Sequence, residues 1–352
     1  MKHLTMSDVA RLSGYSRLTV SLALGNKPGV SDRARAHILA ISESHGYRPN
    51  LMAQALKNKR SNLIGVIVRD ITNPYYGELI RGIERAAAAQ GCVLLNMSTH
   101  ESHDREVAAL HSLSAYQVDG VILAPVLRGV DVAHIRAWRR TPLITVEKIP
   151  GAGIDHVRFD DVKGGYLATG HLLARGHRRI CYLEGPPTAA SSADRLKGMK
   201  RCLKDHGIPW TPAMSEPAGA TVLDGYTAAK RILAQRKPRP TAIFAFCDLV
   251  AAGAYKAAQA LGLRIPEDLS VVGYDDIDLA PVLGPGLTTV RFGMDAVGEF
   301  VAEQLLGAIA AGKLHMGLKQ FFKPVLVERD SVQSCNEPAK RTARKGARAA
   351  RA

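Results

Sequence analysis

The chain has 352 residues, 46% of them hydrophobic, and a formal net charge of +15. This length indicates two or three domains rather than one small core. No apolar run reaches the roughly 18 residues of a membrane span, and no signal-peptide core opens the chain, so we expect a cytoplasmic protein. The five cysteines form no CxxC pair, which favours free thiols over disulfides or a metal site.

The positive charge is concentrated at the two ends of the chain. Residues 1–60 carry a net charge of +7 and residues 338–352 carry +6, which leaves +2 for the part between them. Basic ends on a nearly neutral body indicate a polyanionic partner at the ends. For the C-terminal tail alone, a solvated disordered segment is the simpler interpretation, whereas the first 60 residues also show a helical pattern.

The N-terminal pattern predicts two short helices separated by a turn. Thr5–Asp8 has the spacing of a capping box before the first apolar positions. Ser13–Tyr15 contains a glycine that can break the chain, after which Ser16 can cap a second helix over Arg17–Leu24. A helix of this size, held against another by a short turn, fits the major groove of DNA. The pattern therefore predicts a helix-turn-helix head.

Two further helices are predicted before the body begins. Ser31 can cap a third helix that runs to about His45, where Gly46 ends it. Its side chains predicted to face inward are Ile38, Leu39 and Ile41. Asn50 can cap a short fourth helix from Leu51 to about Lys57, and a polar linker follows.

From Leu63 onward, short apolar runs alternate with amphipathic helices, as is typical of βα units that form a parallel sheet. The predicted strands are Leu63–Val68, Val93–Met97, Val118–Pro125, Pro142–Val146, Arg179–Leu183, Thr241–Phe246, Ser270–Gly273, Leu287–Val290 and Phe321–Val327. The predicted helices are approximately Tyr75–Gln90, Arg105–Tyr116, Val132–Arg139, Gly164–Arg175, Ala193–His206, Gly225–Gln235, Leu249–Leu261 and Met294–Gly312. Two similar series predict two Rossmann-like lobes with a ligand between them, at the carboxyl ends of the strands.

Several short strings, in this order and spacing, resemble one family. In the head they are D-V-A at 8–10, S-G at 13–14, T-V-S at 19–21, V-S at 30–31 and G-Y-R-P-N at 46–50. In the body they are N-P-Y-Y at 73–76, G-H-R-R-I at 176–180, R-L-K-G at 195–198, V-V-G-Y-D-D at 271–276 and L-T-T-V at 287–290. Over residues 4–330 the chain resembles the lactose-repressor family of bacterial transcription regulators.

The resemblance implies a small all-α helix-turn-helix head on an α/β body of two Rossmann-like lobes, similar to the periplasmic binding proteins. The expected divisions are a DNA-binding domain at 1–48, a hinge helix and linker at 49–62, an effector-binding and dimerisation domain at 63–333, and a basic disordered tail at 334–352. Lactose-repressor tetramers use a leucine-rich tail. Because residues 338–352 contain no leucine, we expect a homodimer.

The second helix is expected to read the DNA bases. Its first residues, Arg17 and Leu18, should reach base edges, with Leu22 one turn on. Arg17 can form a bidentate bond with guanine or contact a phosphate instead. Leu18 and Leu22 depart from the polar residues common in the family; they can touch thymine methyl groups, or part of the helix packs inward. The residues predicted to contact DNA are Thr5, Ser16, Arg17, Leu18, Thr19, Ser21, Leu22, Asn26, Asn50, Ala53, Gln54 and Leu56, and Arg33 and His37 could also reach the backbone.

Leu56 matches the hinge leucine of the family, which wedges between central base pairs when two hinge helices pair in the minor groove. Such an apolar wedge unstacks a base step and bends the duplex, at a cost of roughly a few kcal/mol that further contacts repay. The alternative is that Leu56 packs in an ordinary linker. Since so short a helix is unstable alone, we expect it to be ordered only on DNA, in a dimer.

The resemblance also implies a small effector in the cleft between the lobes. The residues carried over for it are Tyr75, Tyr76, Glu147, Asp161, Ser191, Arg195, Cys247 and Asp275. Aromatic faces, carboxylate acceptors and an arginine fork suit a polyhydroxylated ligand. Arg195 and Asp275 sit in matching strings, with a structural ion pair across the cleft as the alternative. Arg69 stands where proline is common and favours an acidic ligand such as a sugar acid.

These observations predict a sequence-specific repressor that binds a palindromic operator and is controlled by a sugar or sugar acid. An effector-responsive activator or dual regulator is the alternative. An exported sugar-binding protein would carry a signal peptide and no head, and a general nucleoid protein would bind without sequence preference. We find no nucleotide-binding, nucleophile or metal-spaced motif, so we expect no enzyme activity, catalytic residue, metal or cofactor.

Overall fold

The computed structural model describes residues 4–48, 60–126, 133–136, 138, 141–149 and 153–335. The chain forms two compact units, Met1–Asn62 and Leu63–Ala352, here called the head and the body. No helix in the described ranges is long and apolar enough to cross a membrane. The predicted hinge helix, with its predicted DNA contacts Asn50, Ala53, Gln54 and Leu56, lies outside the described residues, as does the predicted tail beyond Cys335. The domain boundaries predicted above therefore stay predictions.

The head contains three helices that begin where the capping residues predict. They are α1, Met6–Ser13, α2, Arg17–Leu24, and α3, Asp32–Ser44. Thr5 and Asp8 form the reciprocal capping box, and the hydroxyl of Ser16 accepts a hydrogen bond from the Thr19 amide at 3.1 Å. Gly14 ends α1 with φ of 72°, a conformation that favours glycine. These local signals fix the short turn between α1 and α2.

The apolar side chains between the three helices form a small core. Its buried members are Val9, Ala10, Val20, Ala23 and Ile38. The prediction that Leu39 faces inward was wrong, because its side chain is 45% exposed. The buried positions of α3 are Ala34, Ile38 and Ser42, four residues apart, and Leu39 lies about 100° around the helix from that stripe. Ile41 is half-buried beside it.

The body alternates strands and helices. The strands are β1 (Leu63–Val68), β2 (Val93–Ser98), β3 (Gly120–Leu123), β4 (Leu143–Val146), β5 (Asp155–Phe159), β6 (Ile180–Glu184), β7 (Ser215–Pro217), β8 (Ala242–Ala245), β9 (Ser270–Val272), β10 (Thr289–Arg291), β11 (Lys319–Phe322) and β12 (Val325–Val327). The helices are α4 (Pro74–Ala89), α5 (His103–Ala115), α6 (Ala133–Arg136), α7 (Asp161–Ala174), α8 (Ala190–Asp205), α9 (Val222–Gln235), α10 (Asp248–Ala260) and α11 (Met294–Ala310). Short 3₁₀ turns lie at Pro212–Met214 and Ala280–Val282.

The strands build two parallel sheets, one in each lobe. The first has the order β11-β5-β4-β3-β1-β2, and the second has the order β7-β6-β8-β9. The first sheet packs α4 and α11 on one face and α5 on the other, and the second forms a separate core with α7 to α10. Strands β10 and β12 form an antiparallel pair. Both lobes thus have the doubly wound architecture expected from the alternating pattern.

Within the described residues the chain passes between the lobes three times, after β5, after β10 and after β11. Each passage carries a phenylalanine: Phe159, Phe292 and Phe322. The ring of Phe159 lies 4.9 Å from that of Phe292 and 5.9 Å from that of Phe322, measured between centroids. We call these three rings the crossing cluster.

Three strand predictions differ from the structure. The predicted strand Phe321–Val327 is two strands in different sheets, β11 and β12, because the chain changes lobe at Lys323-Pro324. Strand β5 was missed because Asp155, His156 and Arg158 interrupt its apolar pattern, although the first two are buried. Strand β7 was missed because three residues carry no periodicity.

Candidate functional sites

The outward face of α2 is the predicted DNA-reading surface. Val20 and Ala23 are buried in the head core, whereas Arg17 is exposed. Leu18 is 67% exposed and therefore does not pack inward, and Leu22 is half-buried. An exposed leucine beside an exposed arginine can meet a thymine methyl group next to a guanine.

Arg35 on α3 holds the C-terminal end of α2, a role that sequence reasoning missed. Its guanidinium donates to the carbonyl oxygens of Leu22 at 3.4 Å, Ala23 at 3.0 Å and Lys27 at 2.7 Å. The carbonyls of Leu22 and Ala23 also accept backbone hydrogen bonds from Lys27 and Asn26, so Arg35 adds a charged donor at the negative end of the helix dipole. The orientation of α2 on the head is therefore set by a side chain that need not touch DNA.

Several hydroxyls predicted to contact DNA already have partners within the head. Thr5 donates to the Asp8 carboxylate at 2.7 Å, and the Ser16 and Thr19 hydroxyls lie 2.9 Å apart. Ser21 is half-buried, and Asn26 has φ of 48° just after α2. All of these side chains lie at or near the ends of α1 and α2, where phosphate contacts usually position a head.

The body contains a cavity of about 530 Å³ at the carboxyl ends of strands from both lobes. All eight residues predicted to bind an effector line it: Tyr75, Tyr76, Glu147, Asp161, Ser191, Arg195, Cys247 and Asp275. Arg69 lines it as well. The structure therefore brings the predicted set together, and its role in binding stays a prediction.

Helix α4 presents two tyrosines to the cavity because of how it begins. The Asn73 side chain accepts a hydrogen bond from the Tyr75 amide at 3.1 Å, and Pro74 is the first helical residue. Tyr75 and Tyr76 follow at once, and their rings meet edge to face with centroids 5.0 Å apart. The loop after β1 thereby places both rings at the carboxyl end of the first sheet.

Arg69, Tyr76 and Glu147 form what we call the first-lobe wall. Arg69 Nε donates to the Tyr76 hydroxyl at 2.7 Å, and Arg69 Nη2 donates to Glu147 Oε1 at 2.9 Å. Glu147 directly follows β4 and has φ of 120°, a strained backbone conformation outside glycine. Burial raises the pKa of Glu147, and Arg69 acts in the opposite direction. Burial likewise raises the pKa of Tyr76, to about 12.

Asp161, Arg195, Tyr274 and Asp275 form the second-lobe wall. Arg195 Nε donates to Asp161 Oδ1 at 2.8 Å, and its Nη1 donates to the carbonyl oxygen of Phe246. The guanidinium carbon of Arg195 lies 3.5 Å from the centroid of the Tyr274 ring. The Tyr274 hydroxyl in turn donates to Asp161 at 3.1 Å. Arg195 is therefore held from several sides and is 6% exposed.

Glycines allow α7 and α8 to approach closely enough to build this wall. A Cβ on Gly165 would lie 2.1 Å from the Arg195 carbonyl oxygen, and one on Gly198 would lie 2.0 Å from that of Val162. Alanine fits at neither position unless the backbones separate. Gly198, the glycine of the R-L-K-G string, is therefore required for the close packing of α8 on α7, next to Arg195.

Asp275 is the incompletely satisfied member of the second-lobe wall. Its Oδ1 is buried without a hydrogen-bond partner among the described residues and lies 3.9 Å from Arg195 Nη2. Its backbone has φ of 107°. Burial raises the pKa of Asp275 well above its ordinary value, while Arg195 lowers it. A buried polar atom without a partner is costly, so a ligand that bonds to it gains that free energy.

Ser191 and Cys247 complete the predicted set near the starts of α8 and α10. Both are buried, and the Cys247 thiol lies 3.7 Å from the Ala220 carbonyl oxygen, to which it donates. Burial raises the pKa of Cys247, so the group is a neutral thiol rather than a nucleophilic thiolate.

Three phenylalanines line the cavity that sequence reasoning did not name: Phe159, Phe246 and Phe292. Phe159 ends β5, and the other two each follow the end of a strand by one residue. The rule that ligands bind beyond the carboxyl ends of parallel strands was the available signal for the first two. It was not used for Phe159 because β5 itself was missed.

Carboxyl groups outnumber guanidinium groups around the cavity. The acidic residues lining it are Asp70, Glu101, Glu147, Asp161, Asp224 and Asp275, whereas the arginines are Arg69 and Arg195. Both arginines are already engaged with carboxylates. Among the described residues, no cluster of histidine, cysteine and carboxylate side chains has the geometry to hold a metal ion.

A helix-turn-helix head and a two-lobed body with a polar cavity, in one chain, define a ligand-responsive DNA-binding regulator. The profile of bacterial regulatory proteins of the lacI family matches residues 5–50. The profile of periplasmic binding proteins and the sugar binding domain of the LacI family matches residues 61–319. The chain belongs to the LacI family of transcription regulators and is not an enzyme.

Relatives match over almost the whole chain. The transcriptional regulator DegA of Bacillus subtilis is 33% identical over 338 residues, which cover 94% of this chain and 99% of DegA. The ribose operon repressor of Escherichia coli is 33% identical over 329 residues, covering 93% and 99% of the two chains. The crystal structure of the lac repressor dimer bound to operator and the anti-inducer ONPF has a TM-score of 0.83 at 27% identity, with coverages of 94% and 100%. The predicted family and fold class are confirmed.

Proposed function

We propose that this regulator is a repressor that binds a palindromic operator as a homodimer and whose operator affinity changes when a neutral sugar occupies the cleft. The observation that carries the proposal is the cavity, where aromatic rings, fixed arginines and a buried carboxyl oxygen without a hydrogen bond meet in a chain that also bears a DNA-binding head.

The chemistry of the cavity supports a polyhydroxylated ligand. A volume of about 530 Å³ falls in the range of small-molecule sites. The rings of Phe159, Phe246 and Phe292 offer apolar faces for a sugar ring, while Asp275 can bond to a hydroxyl. One relative of similar length is named a ribose operon repressor, which agrees with a sugar as the class of effector.

The charges of the cavity favour a neutral sugar over a sugar acid. Arg69 was the reason to consider an acidic ligand, but its guanidinium is paired with Glu147 at 2.9 Å. A carboxylate entering the cavity would also meet the acidic residues Asp70, Glu101 and Asp161 that line it. Like charges in a partly buried site repel, so a neutral ligand binds at lower cost.

The exposed face of α2 supports sequence reading centred on Arg17. We propose selecting operator sequences from a random duplex library and measuring their affinities by fluorescence anisotropy at fixed salt. Arg17→Ala should reduce discrimination at one base pair by roughly 1–3 kcal/mol. Arg33→Ala, on the exposed side of α3, is the matched control, because losing a phosphate contact weakens binding equally on all sequences. An equal loss on all sequences with Arg17→Ala would contradict the proposed base contact.

The homodimer is supported by the similarity to the lac repressor, which was solved as a dimer bound to operator. The exposed side chains of Val93, Leu223 and Val282 are candidates for the interface to be tested by substitution. We infer a dimer in the cytoplasm, where the operator is. Sedimentation equilibrium should give twice the chain mass, and a tetramer would contradict this.

The regulation follows from linkage between ligand and DNA. A ligand that favours one arrangement of the lobes changes operator affinity by its difference in binding free energy between the arrangements, typically about 1–3 kcal/mol. Operator titrations with and without saturating neutral sugars test this directly. A sugar that binds the protein and leaves operator affinity unchanged would refute the proposed control.

A further inference from the structure

The first-lobe wall contains an arginine that is only partly used by the protein. Nε and Nη2 of Arg69 donate to Tyr76 and Glu147, and no described residue accepts a hydrogen bond from its Nη1. Arg69 is 7% exposed and lines the cavity. A ligand can therefore receive hydrogen bonds from a guanidinium whose orientation is already fixed.

Glu147 determines how much net charge Arg69 offers to a ligand. Its carboxylate lies 2.9 Å from Nη2, so the pair offers donors but little net charge. The pair also joins the ends of β1 and β4, which flank β3 in the sheet, and it is kept although Glu147 has φ of 120°. A strained conformation persists only where surrounding contacts enforce it, which marks the position as one with a specific role.

We propose that Glu147 masks the charge of Arg69 and thereby makes the cleft reject sugar acids while it binds the corresponding neutral sugars. This inference rests on the proposed function, because it specifies the ligand class of the same cavity. A ligand hydroxyl or ring oxygen can accept from Arg69 Nη1 without displacing Glu147. A ligand carboxylate would have to compete with Glu147 for the guanidinium or leave one of the two carboxylates without its partner.

The inference predicts that one substitution reverses the preference. Glu147→Gln keeps the size of the side chain and leaves the positive charge of Arg69 without its carboxylate. Hydrogen bonds to charged groups contribute more than neutral ones, so affinity for a sugar acid should rise by about tenfold or more. Affinity for the neutral counterpart should change by less than about threefold, because its bonds to Nη1 remain.

The experiment is isothermal titration of the full chain and its Glu147→Gln variant with matched pairs of probes. The pairs are D-glucose with D-glucuronate, D-galactose with D-galacturonate, and D-mannose with D-mannuronate, in which the sugar ring is kept and only C6 is oxidised. Glu101→Gln is the control for charge alone, since Glu101 lines the same cavity and its charge acts on Arg69 without a hydrogen bond between them. The double variant Arg69→Leu with Glu147→Gln should lose the gained affinity. Thermal unfolding without ligand verifies that each variant is folded.

The outcomes separate this inference from the proposed function. Acid binding that appears in Glu147→Gln, but not in Glu101→Gln or the double variant, supports the masking role. No gain in Glu147→Gln, an equal gain in Glu101→Gln, or a wild type that binds acids as tightly as neutral sugars overturns it. If the wild type binds none of a broad set of neutral sugars, the proposed effector class fails, while the acid titrations still decide whether Glu147 masks Arg69.

Discussion

Each wall of the cavity contains an arginine and a carboxyl group, but the group that keeps free hydrogen-bonding capacity differs between the two walls. In the first-lobe wall, Arg69 and Glu147 are paired at 2.9 Å, and the free hydrogen-bonding capacity belongs to the arginine. In the second-lobe wall, Arg195 is held by Asp161 and Tyr274, and the free capacity belongs to Asp275. One wall therefore offers a donor and the other offers a carboxyl oxygen.

Because of this difference, the two ends of a bound ligand meet different hydrogen-bonding groups. A ligand whose acceptor oxygens face Arg69 can place a hydroxyl against Asp275, whereas a ligand with an acceptor at both ends leaves Asp275 without a partner. Both free groups lie in carboxyl–arginine sets, so neither wall carries a net positive charge that would attract an anion. Unequal walls in similar lobes thus present different hydrogen-bonding groups to the two ends of a bound ligand.

The largest expected effect follows from removing the arginine of the second-lobe wall. Arg195→Leu leaves Asp161 and Asp275 buried without their cation, which should lower the free energy of unfolding by about 3–5 kcal/mol and abolish effector binding. Arg69→Leu, which leaves the less buried Glu147 unpaired, should cost less. Urea unfolding of both variants measures the contrast. Equal losses would mean that the two walls are equally structural.

The pH dependence of the free energy of unfolding should report on Asp248, which holds the loop behind the second-lobe wall. Asp248 accepts from the Ile277 amide at 2.9 Å and the Thr289 hydroxyl at 2.6 Å, and so fixes the loop that carries Asp275. Burial raises its pKa to about 7 from an ordinary value of 3.8, with a smaller contribution from the charge of Asp276. The folded protein thus keeps a proton that the unfolded chain releases near pH 4.

The consequence has a definite sign. Because the folded state binds the additional proton, the free energy of unfolding should fall as pH rises from about 4 to about 7, by an amount on the order of a few kcal/mol, and then level off. Asp248→Asn should remove this component of the slope. Urea titrations between pH 4.5 and 8 measure it, and an unchanged slope in the variant would show that Asp248 is ionised in the folded protein.

Asp275→Asn should separate stability from binding. The native carboxyl is buried, lacks a partner for Oδ1 and has φ of 107°, a region that asparagine adopts more readily than most residues. We expect the ligand-free melting temperature to stay level or rise by a few degrees, while affinity for the neutral effector falls by about tenfold to a hundredfold. Calorimetry provides both numbers. A large loss of stability would indicate that Asp275 is mainly structural.

The smallest expected effect lies in the first-lobe wall. Tyr76→Phe removes one hydrogen bond to Arg69 Nε and should lower the free energy of unfolding by about 1 kcal/mol. Arg69 stays paired with Glu147, so the preference for neutral sugars should persist with only a small change in affinity. Loss of that preference would show that Tyr76, rather than Glu147, controls how Arg69 meets the ligand.

Much of the fold could be read from the sequence because its signals are local. The caps at Thr5, Ser16 and Ser31 predicted where the head helices begin, and the apolar run Leu63–Val68 predicted β1 at its observed bounds. Leu39 was placed wrongly because neighbouring apolar residues do not reveal which stripe of a helix meets the core. Strand β5 was missed because its buried polar residues conceal its pattern.

The residues lining the cavity could be named from the family resemblance, but their pairings could not. Arg69 and Glu147 are 78 residues apart and meet only because β1 and β4 flank β3 in the sheet. The same arginine that favoured an acidic ligand in the sequence supports a neutral one once its partner is known. The positive φ values of Glu147 and Asp275 likewise depend on contacts made by the folded chain.

The crossing cluster gives the cleft a property that neither wall has alone. Phe159 and Phe292 belong to segments by which the chain passes between the lobes, and both also line the cavity. Because both rings lie where the chain crosses between the lobes, a change in the angle between the lobes would move them relative to each other. A ligand in contact with these two rings would therefore be coupled to the relative position of the lobes without any relay through other side chains.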